Sequence, residues 1–137
     1  MSESIARPLP ALTAGNTFFW TSGAQGELRF QRCQACRTYL HPPVPRCPQC
    51  LSDDIEVEAV SGRATVGAYT INHHPWHPAF PPPYAVAIVE IEEAPYVRLT
   101  TNIVNCDVDE VTIGMAVQVR FERAGEVWLP LFEPRGR

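Results

Sequence analysis

Polar and apolar residues alternate with a period of two through Glu27-Leu28-Arg29-Phe30-Gln31-Arg32, which predicts a strand with one face against a core. The same period returns at Ile55, Val57 and Ala59, interleaved with Glu56 and Glu58, and Gly62 marks a break or bulge in the same sheet. Further strands are expected over 64–71, 97–104, 116–122 and 127–132, with Gly125-Glu126 as the hairpin turn between the last two. Tyr84 to Ile91 is almost continuously apolar, as a strand buried on both faces would be. Pro95 follows Glu92-Glu93 at a turn, and Asp107 to Val111 reads as a short turn or helical piece. A helical pattern occurs once, from Ala11 to Trp20, where Leu12 and Phe19 would share a face and Ser22-Gly23 would end the helix. Two stretches follow neither period. Residues 33–50 carry Pro42, Pro43, Pro45 and Pro48, and the loop from His73 to Pro83 carries Pro75, Pro78 and Pro81 to Pro83.

Short strands at turn spacing with little helix predict a mainly β chain built on a small closed or semi-closed barrel, of which the OB-fold suits this length best. At 137 residues the chain is one domain, or one domain with a small appended module. The composition changes near residue 55 from Cys and Pro to Val and Ile. The expected division is therefore an N-terminal helical segment over 1–25, a metal-ordered ribbon over 26–54 and the barrel over 55–137.

Charge narrows the function classes. The formal net charge is -4, and all 11 basic residues are arginines. Without lysine there is no Schiff-base chemistry, and an acidic balance gives no general attraction for a phosphate backbone, so nucleic acid is not an expected partner. No run of 18 apolar residues predicts a membrane span, and Met1 to Pro10 lacks a secretory-type apolar run. A reducing, cytoplasmic setting is the expectation, and there cysteines serve as thiols or metal ligands.

Cys33-x-x-Cys36 and Cys47-x-x-Cys50, ten residues apart, form two knuckles able to bring four thiolates around one ion. Zn²⁺ suits four soft ligands, and a single iron would suit them too. A four-cysteine shell leaves no position for substrate, so the expected role is structural, ordering a proline-rich segment with too few apolar residues to fold alone. Two thioredoxin-like dithiols are the alternative, but that motif expects a βαβ setting. Arg37 and Leu51 stand after the second cysteine of each knuckle, where ribbons usually place glycine. Cys106, beside Asp107, reads as a small packed residue.

His73, His74, Trp76, His77, Phe80 and Tyr84 concentrate imidazoles and aromatics in the second proline-rich stretch. They are candidates for contact with a partner chain or a ligand, with Trp76 and Phe80 as anchors. A stiff surface loop and an acid–base site are the competing readings. A second metal site on the three histidines is disfavoured, because consecutive side chains on extended backbone point apart and no carboxylate accompanies them. No residue is assigned a catalytic role.

Taken together, Phe18-Phe19-Trp20, Gln31-Arg32-Cys33-x-x-Cys36, His41-Pro42-Pro43, Cys47-Pro48-x-Cys50, Ser61-Gly62-Arg63, Ile113-Gly114-Met115 and Leu129-Pro130 resemble the acyl-CoA-associated OB-fold family with an N-terminal rubredoxin-like zinc ribbon. The resemblance runs from about residue 12 to 134. It implies a non-catalytic accessory subunit of a thiolase-like enzyme acting on acyl-CoA thioesters, first among them a steroid or lipid side-chain aldolase working by a retro-aldol step. The thiolase-like partner would carry the catalytic residues and hold most of the acyl-CoA. Two other readings stand beside it: an accessory domain of an acyl-CoA hydratase or acyltransferase, and a free-standing OB-fold binder of single-stranded nucleic acid. The last needs Arg63, Arg98, Arg120 and Arg123 along one face.

Overall fold

The computed structural model describes residues 8–135, so the first part of the expected 1–25 segment and the last residues of the 55–137 segment lie outside the described residues. The alternating segments become strands in two separate hydrogen-bonded systems. The first is a small antiparallel sheet in the order β2-β1-β3, made of β1 (Leu28–Cys33), β2 (Tyr39–Leu40) and β3 (Ile55–Val60). The second is a closed barrel in the order β4-β5-β6-β8-β7, made of β4 (Arg63–Asn72), β5 (Tyr84–Ile91), β6 (Ala94–Ile103), β7 (Ala116–Ala124) and β8 (Val127–Pro134). Its pairings are antiparallel except β6 with β8, which meet in parallel at Ile103 and Phe132. This is the five-stranded OB arrangement.

β3 departs from the expected division. Its register with β1 runs unbroken from Leu28 opposite Val60 to Cys33 opposite Ile55. Residues 55–60 thus belong to the sheet that carries the first knuckle, and the barrel begins at Arg63. Alternation signals a strand but carries no information on which sheet takes it.

In the barrel, β5 buries Ala85, Ala87, Val89 and Ile91 and leaves Tyr84, Val86, Ile88 and Glu90 half-buried. Only one face is therefore fully enclosed, contrary to the two-sided burial its apolar run suggests. Val66, Leu99, Val117 and Phe132 complete the interior with these residues. The expected strand over 97–104 starts earlier, at Ala94, because Glu92-Glu93 make a two-residue turn and the register slips between Glu90 and Ile91. Pro95 sits in that slipped stretch, where a strand can do without its missing donor. The β7–β8 hairpin turns at Gly125-Glu126, as its sequence predicts.

The N-terminal helix, α1, is shorter than expected, Thr17–Thr21. Before it, the Thr13 N–H donates to Asn16 Oδ1 (2.7 Å) and the Asn16 N–H donates to Thr13 Oγ1 (3.2 Å), closing a side-chain-bonded turn, so Leu12 never joins the helical face. After α1 a 3₁₀ turn continues to Gln25, and the chain reverses at Gly26 with φ 73°. Gly23 has a different task from the expected stop signal: a Cβ there would lie 2.5 Å from Trp128 Cβ and 2.6 Å from Phe121 Cδ1. Its lack of a side chain lets the turn lie directly on the β7–β8 hairpin.

Candidate metal centre and contact loop

The two knuckles repeat one backbone design. Cys33 donates its N–H to Thr38 O and Cys47 donates to Ser52 O, both at 2.9 Å; Arg37 N–H reaches back to Cys33 O and Leu51 N–H to Cys47 O, also at 2.9 Å. Backbone amides also approach the sulfurs, Cys36 N at 3.5 Å from Cys33 Sγ and Gln49 N at 3.4 Å from Cys47 Sγ. Closing each loop requires the left-handed region after the second cysteine, and Arg37 and Leu51 both adopt it with φ 66°. Two side-chain-bearing residues thus take on the glycine role, at a cost of roughly 1–2 kcal/mol each.

The result brings all four sulfurs within 4.8 Å of one another, with Cys33 to Cys50 at 3.5 Å and Cys36 to Cys47 at 3.6 Å. A tetrahedron with bonds of ~2.3 Å has edges of ~3.8 Å, so the set fits one thiolate-bound ion. Cys33 and Cys47 are buried, and Cys36 and Cys50 reach the surface. Hydrogen bonding from the Cys36 backbone N–H holds the Cys33 thiol below its usual range. The Thr38 hydroxyl, then its backbone N–H, brings Cys36 down to about 6. Cys50 goes the other way. The Ser52 N–H favours its thiolate, but neighbouring Cys33, burial, Cys36 and Cys47 together outweigh that and push it up to about 12. A bound cation would favour the thiolate form of each of its ligands. The surrounding core is small, Cys33, Leu40 and Cys47 with Val44 and Ile55 beside them. Among the described residues these cysteines are the one group of three or more such side chains close enough to hold an ion, so His73, His74 and His77 do not assemble a second.

The histidine and aromatic loop joins β4 to β5, one of the connections that OB barrels use for ligands. The structure divides its candidates into two groups. His73, His74 and Trp76 project outward at the tip, with Trp76 72% exposed. Asn72 braces the last two: Trp76 Nε1–H donates to Asn72 Oδ1 (2.7 Å), Asn72 Nδ2–H donates to His74 O (2.6 Å), and the His74 and Trp76 rings lie 4.2 Å apart. His77, Phe80 and Tyr84 turn towards the barrel, with centroid distances of 5.3 Å from His77 to Phe80 and 6.2 Å from Phe80 to Tyr84. His77 Nδ1 accepts the Ala79 N–H at 3.0 Å, which fixes that nitrogen as an acceptor. Phe80 and Tyr84 wall a cleft of about 180 Å³ with Asn102, Val104, Glu122 and Leu131, and a second of about 250 Å³ with Val86 and Thr100. Cys106 is half-buried and packs on the main core.

His41 was not among the candidates. Its ring lies between Phe19 (5.0 Å) and Phe30 (5.1 Å), where burial lowers its pKa. It lines a groove of about 470 Å³ between α1, the ribbon and β6, together with Trp20, Pro42, Arg98 and Leu99. The one available signal was His-Pro-Pro ahead of the second knuckle, since Phe19 and Phe30 reach the ring only through the packing of α1 and β1.

A thiolate-lined ribbon joined to an OB barrel defines a class of two-module proteins, and this chain matches it in both parts. Residues 20–56 match the family described as "ChsH2, rubredoxin-like zinc ribbon domain" and residues 57–122 the family described as "ChsH2, C-terminal OB-fold domain". The chain belongs to this ChsH2-type, DUF35 family. It is 43% identical over 129 residues to a "Probable enoyl-CoA hydratase alpha subunit" of Thermomonospora curvata, covering 93% of this chain and 40% of that protein. It is 36% identical over 112 residues to the "3-oxo-4,17-pregnadiene-20-carboxyl-CoA hydratase alpha subunit" of Mycobacterium tuberculosis, covering 82% of this chain and 35% of that one. The chain thus spans well under half the length of these two relatives. A "DUF35 domain-containing scaffold protein" of Methanocaldococcus jannaschii is 36% identical, with 69% of this chain and 67% of that protein covered. Among solved structures, a chain of the "Ltp2-ChsH2(DUF35) aldolase" superposes with a TM-score of 0.83 at 42% identity, covering 92% of this chain and 98% of that chain. No helix among the described residues is long and apolar enough to cross a membrane.

Proposed function

We propose that this chain is the non-catalytic accessory subunit of a cytoplasmic thiolase-like enzyme acting on acyl-CoA thioesters, in the first place a steroid or lipid side-chain aldolase working by retro-aldol cleavage. The observation that carries this reading is the likeness to the aldolase chain, which this protein matches over 98% of that chain's length. Cys33, Cys36, Cys47 and Cys50 hold one structural Zn²⁺, which fixes the ribbon and performs no chemistry. Trp76, His73 and His74 at the loop tip contact the thiolase-like partner, as their exposure beside a rigid Asn72 brace favours. His77, Phe80 and Tyr84 border the path of an acyl-CoA that the partner holds for the most part.

Co-expression with a thiolase-fold protein encoded beside it, followed by sedimentation and an assay of carbon–carbon cleavage, tests the proposal. A hetero-oligomer active only with both chains is expected. Full activity of the thiolase-like chain alone, with no complex, would remove it. The reading as accessory domain of an acyl-CoA hydratase is favoured by the identity to the two hydratase alpha subunits, and hydration of an enoyl-CoA by a complex containing this chain would select it. Binding of single-stranded nucleic acid has less support. Arg63 spends its charge on Glu92 (2.7 Å) and Arg98 lies 3.4 Å from Glu90, which weakens the field a phosphate backbone would meet.

A further inference from the structure

Each barrel strand has two neighbours along at least part of its length, whereas the three-stranded ribbon sheet ends in two edge strands, β2 and β3. One of them is capped. Tyr39, on the outer side of the short β2, donates its N–H to the Tyr96 hydroxyl at 3.0 Å. The other is β3, six residues with neither Pro nor Gly and with no slip in its register to β1.

The direction of its backbone groups follows from the neighbours of β1. Cys33 donates towards β2, to Thr38 O at 2.9 Å, and Gln34 donates towards β3, to Asp54 O at 2.8 Å. Backbone groups alternate sides along a strand, so Arg32, Phe30 and Leu28 also face β3, and their partners Glu56, Glu58 and Val60 face back. Val57 and Ala59 therefore present N–H and C=O outward, and among the described residues no further backbone bond takes them up. Their side chains are exposed, Val57 by 41%.

The two faces of the edge differ. Ile55, Val57 and Ala59 make an apolar stripe on one, and Glu56 and Glu58 lie on the other, with Asp53 and Asp54 just before them. Glu58 is engaged by Arg32 and Arg37 at 3.4 Å each, whereas Asp53, Asp54 and Glu56 have no ion-pair partner among the described residues. A second copy of this chain would set carboxylates against carboxylates, which disfavours pairing of two β3 edges.

We infer that the β3 edge is a docking site for one extended segment of a partner protein in which Lys or Arg alternates with apolar residues. Such a strand adds its backbone to Val57 and Ala59, lays its apolar side chains along the Ile55-Val57-Ala59 stripe and sets its cations beside Glu56. This surface is on the ribbon, away from the barrel loop of the proposed assembly, and its test needs no thiolase-like partner.

The probe is a capped heptapeptide alternating lysine and valine, with a glutamate–valine peptide as control, read by amide hydrogen exchange on the full, metal-loaded chain. With the lysine peptide the Val57 and Ala59 amides should exchange about tenfold more slowly, less so as salt rises. Val57→Pro removes one outward donor without touching a β1 bond, and edge positions tolerate proline, so it should abolish the protection. Should Val57→Pro not fold, Glu56→Lys leaves the backbone intact and should shift the preference to the glutamate peptide. Unchanged exchange at these two amides with millimolar lysine peptide would overturn the proposal. So would equal protection by both peptides, or a dimer in the absence of peptide that Glu56→Lys or Val57→Pro alters, since the edge would then serve a second copy.

Discussion

Leu51 offers a direct measure of what the knuckle backbone costs. At φ 66° a Cβ meets its own backbone, a penalty of roughly 1–2 kcal/mol that glycine does not incur. The side chain is 65% exposed, yet truncating it still removes some packing, so comparison with leucine mixes two effects. The pair Leu51→Ala and Leu51→Gly separates them, because both lack the side chain beyond Cβ and differ only in that carbon. Elsewhere glycine is the less stable of the two by about 0.5–1 kcal/mol, through its greater freedom in the unfolded chain. Here the left-handed penalty exceeds that, and Leu51→Gly should be more stable than Leu51→Ala by about 0.5–1 kcal/mol. For a chain of this size that is a difference of roughly 2–5 °C in Tm. Both variants must be melted at the same saturating zinc concentration, since ligand linkage would otherwise add a term unrelated to the backbone. Arg37 should show the same inversion, although both of its variants also lose the contacts to Gln34 and Glu58. If alanine equals or exceeds glycine at both positions, the knuckles do not close through the left-handed region, and the fit of the four sulfurs to one ion loses its backbone basis.

Metal removal by a strong chelator should raise amide exchange across residues 28–60, because the ribbon's own core of Leu40, Val44 and Ile55 is far smaller than the ~10–16 kcal/mol that a thiolate-bound zinc can supply. Elemental analysis should give one metal per chain, and Cys33→Ser should lose it. His41 has a pKa lowered by burial, so the folded state holds it neutral, and stability should be full above its unfolded pKa of ~6.5 and decline as pH falls below that value. His41→Phe should flatten that part of the profile in urea titrations, leaving the cysteine contribution in both proteins. Gly23→Ala should destabilise by about 1–3 kcal/mol, measured by urea midpoint, because its Cβ meets Trp128 and Phe121 at 2.5–2.6 Å. Trp76→Ala should leave the melting temperature within about 1 °C, since the ring is 72% exposed, and weaken binding of a thiolase-like partner by tenfold or more in titration calorimetry.

The period-two signal was sufficient to locate most strands, because inward and outward side chains along Leu28-Arg29-Phe30 or Ala116 to Glu122 see different solvents. It was blind to partnership: β3 reads like a barrel strand and pairs with β1. Apolar content misled at β5, where Val86 and Ile88 are only half covered. At α1 the seven-residue spacing of Leu12 and Phe19 was outweighed by a local competition, the Thr13 and Asn16 side chains bonding to backbone. The four cysteines were legible because metal chemistry imposes a spacing on the chain. The left-handed backbone at Arg37 and Leu51 was not, since neither residue type announces that conformation. His41 was equally hidden, its environment being made by Phe19 and Phe30 from elsewhere in the sequence.

The pairing of one buried and one exposed cysteine in each knuckle bears on how the ion would come and go. An incoming chelator or metal-transfer thiol would meet Cys36 and Cys50 first, because Cys33 and Cys47 are buried. Release of an ion held by the four would then be ordered in time. Two ligands could be exchanged from solution, and the last two would let go when the ribbon itself opens, so the lifetime of such an ion would depend on a folding event as well as on its affinity.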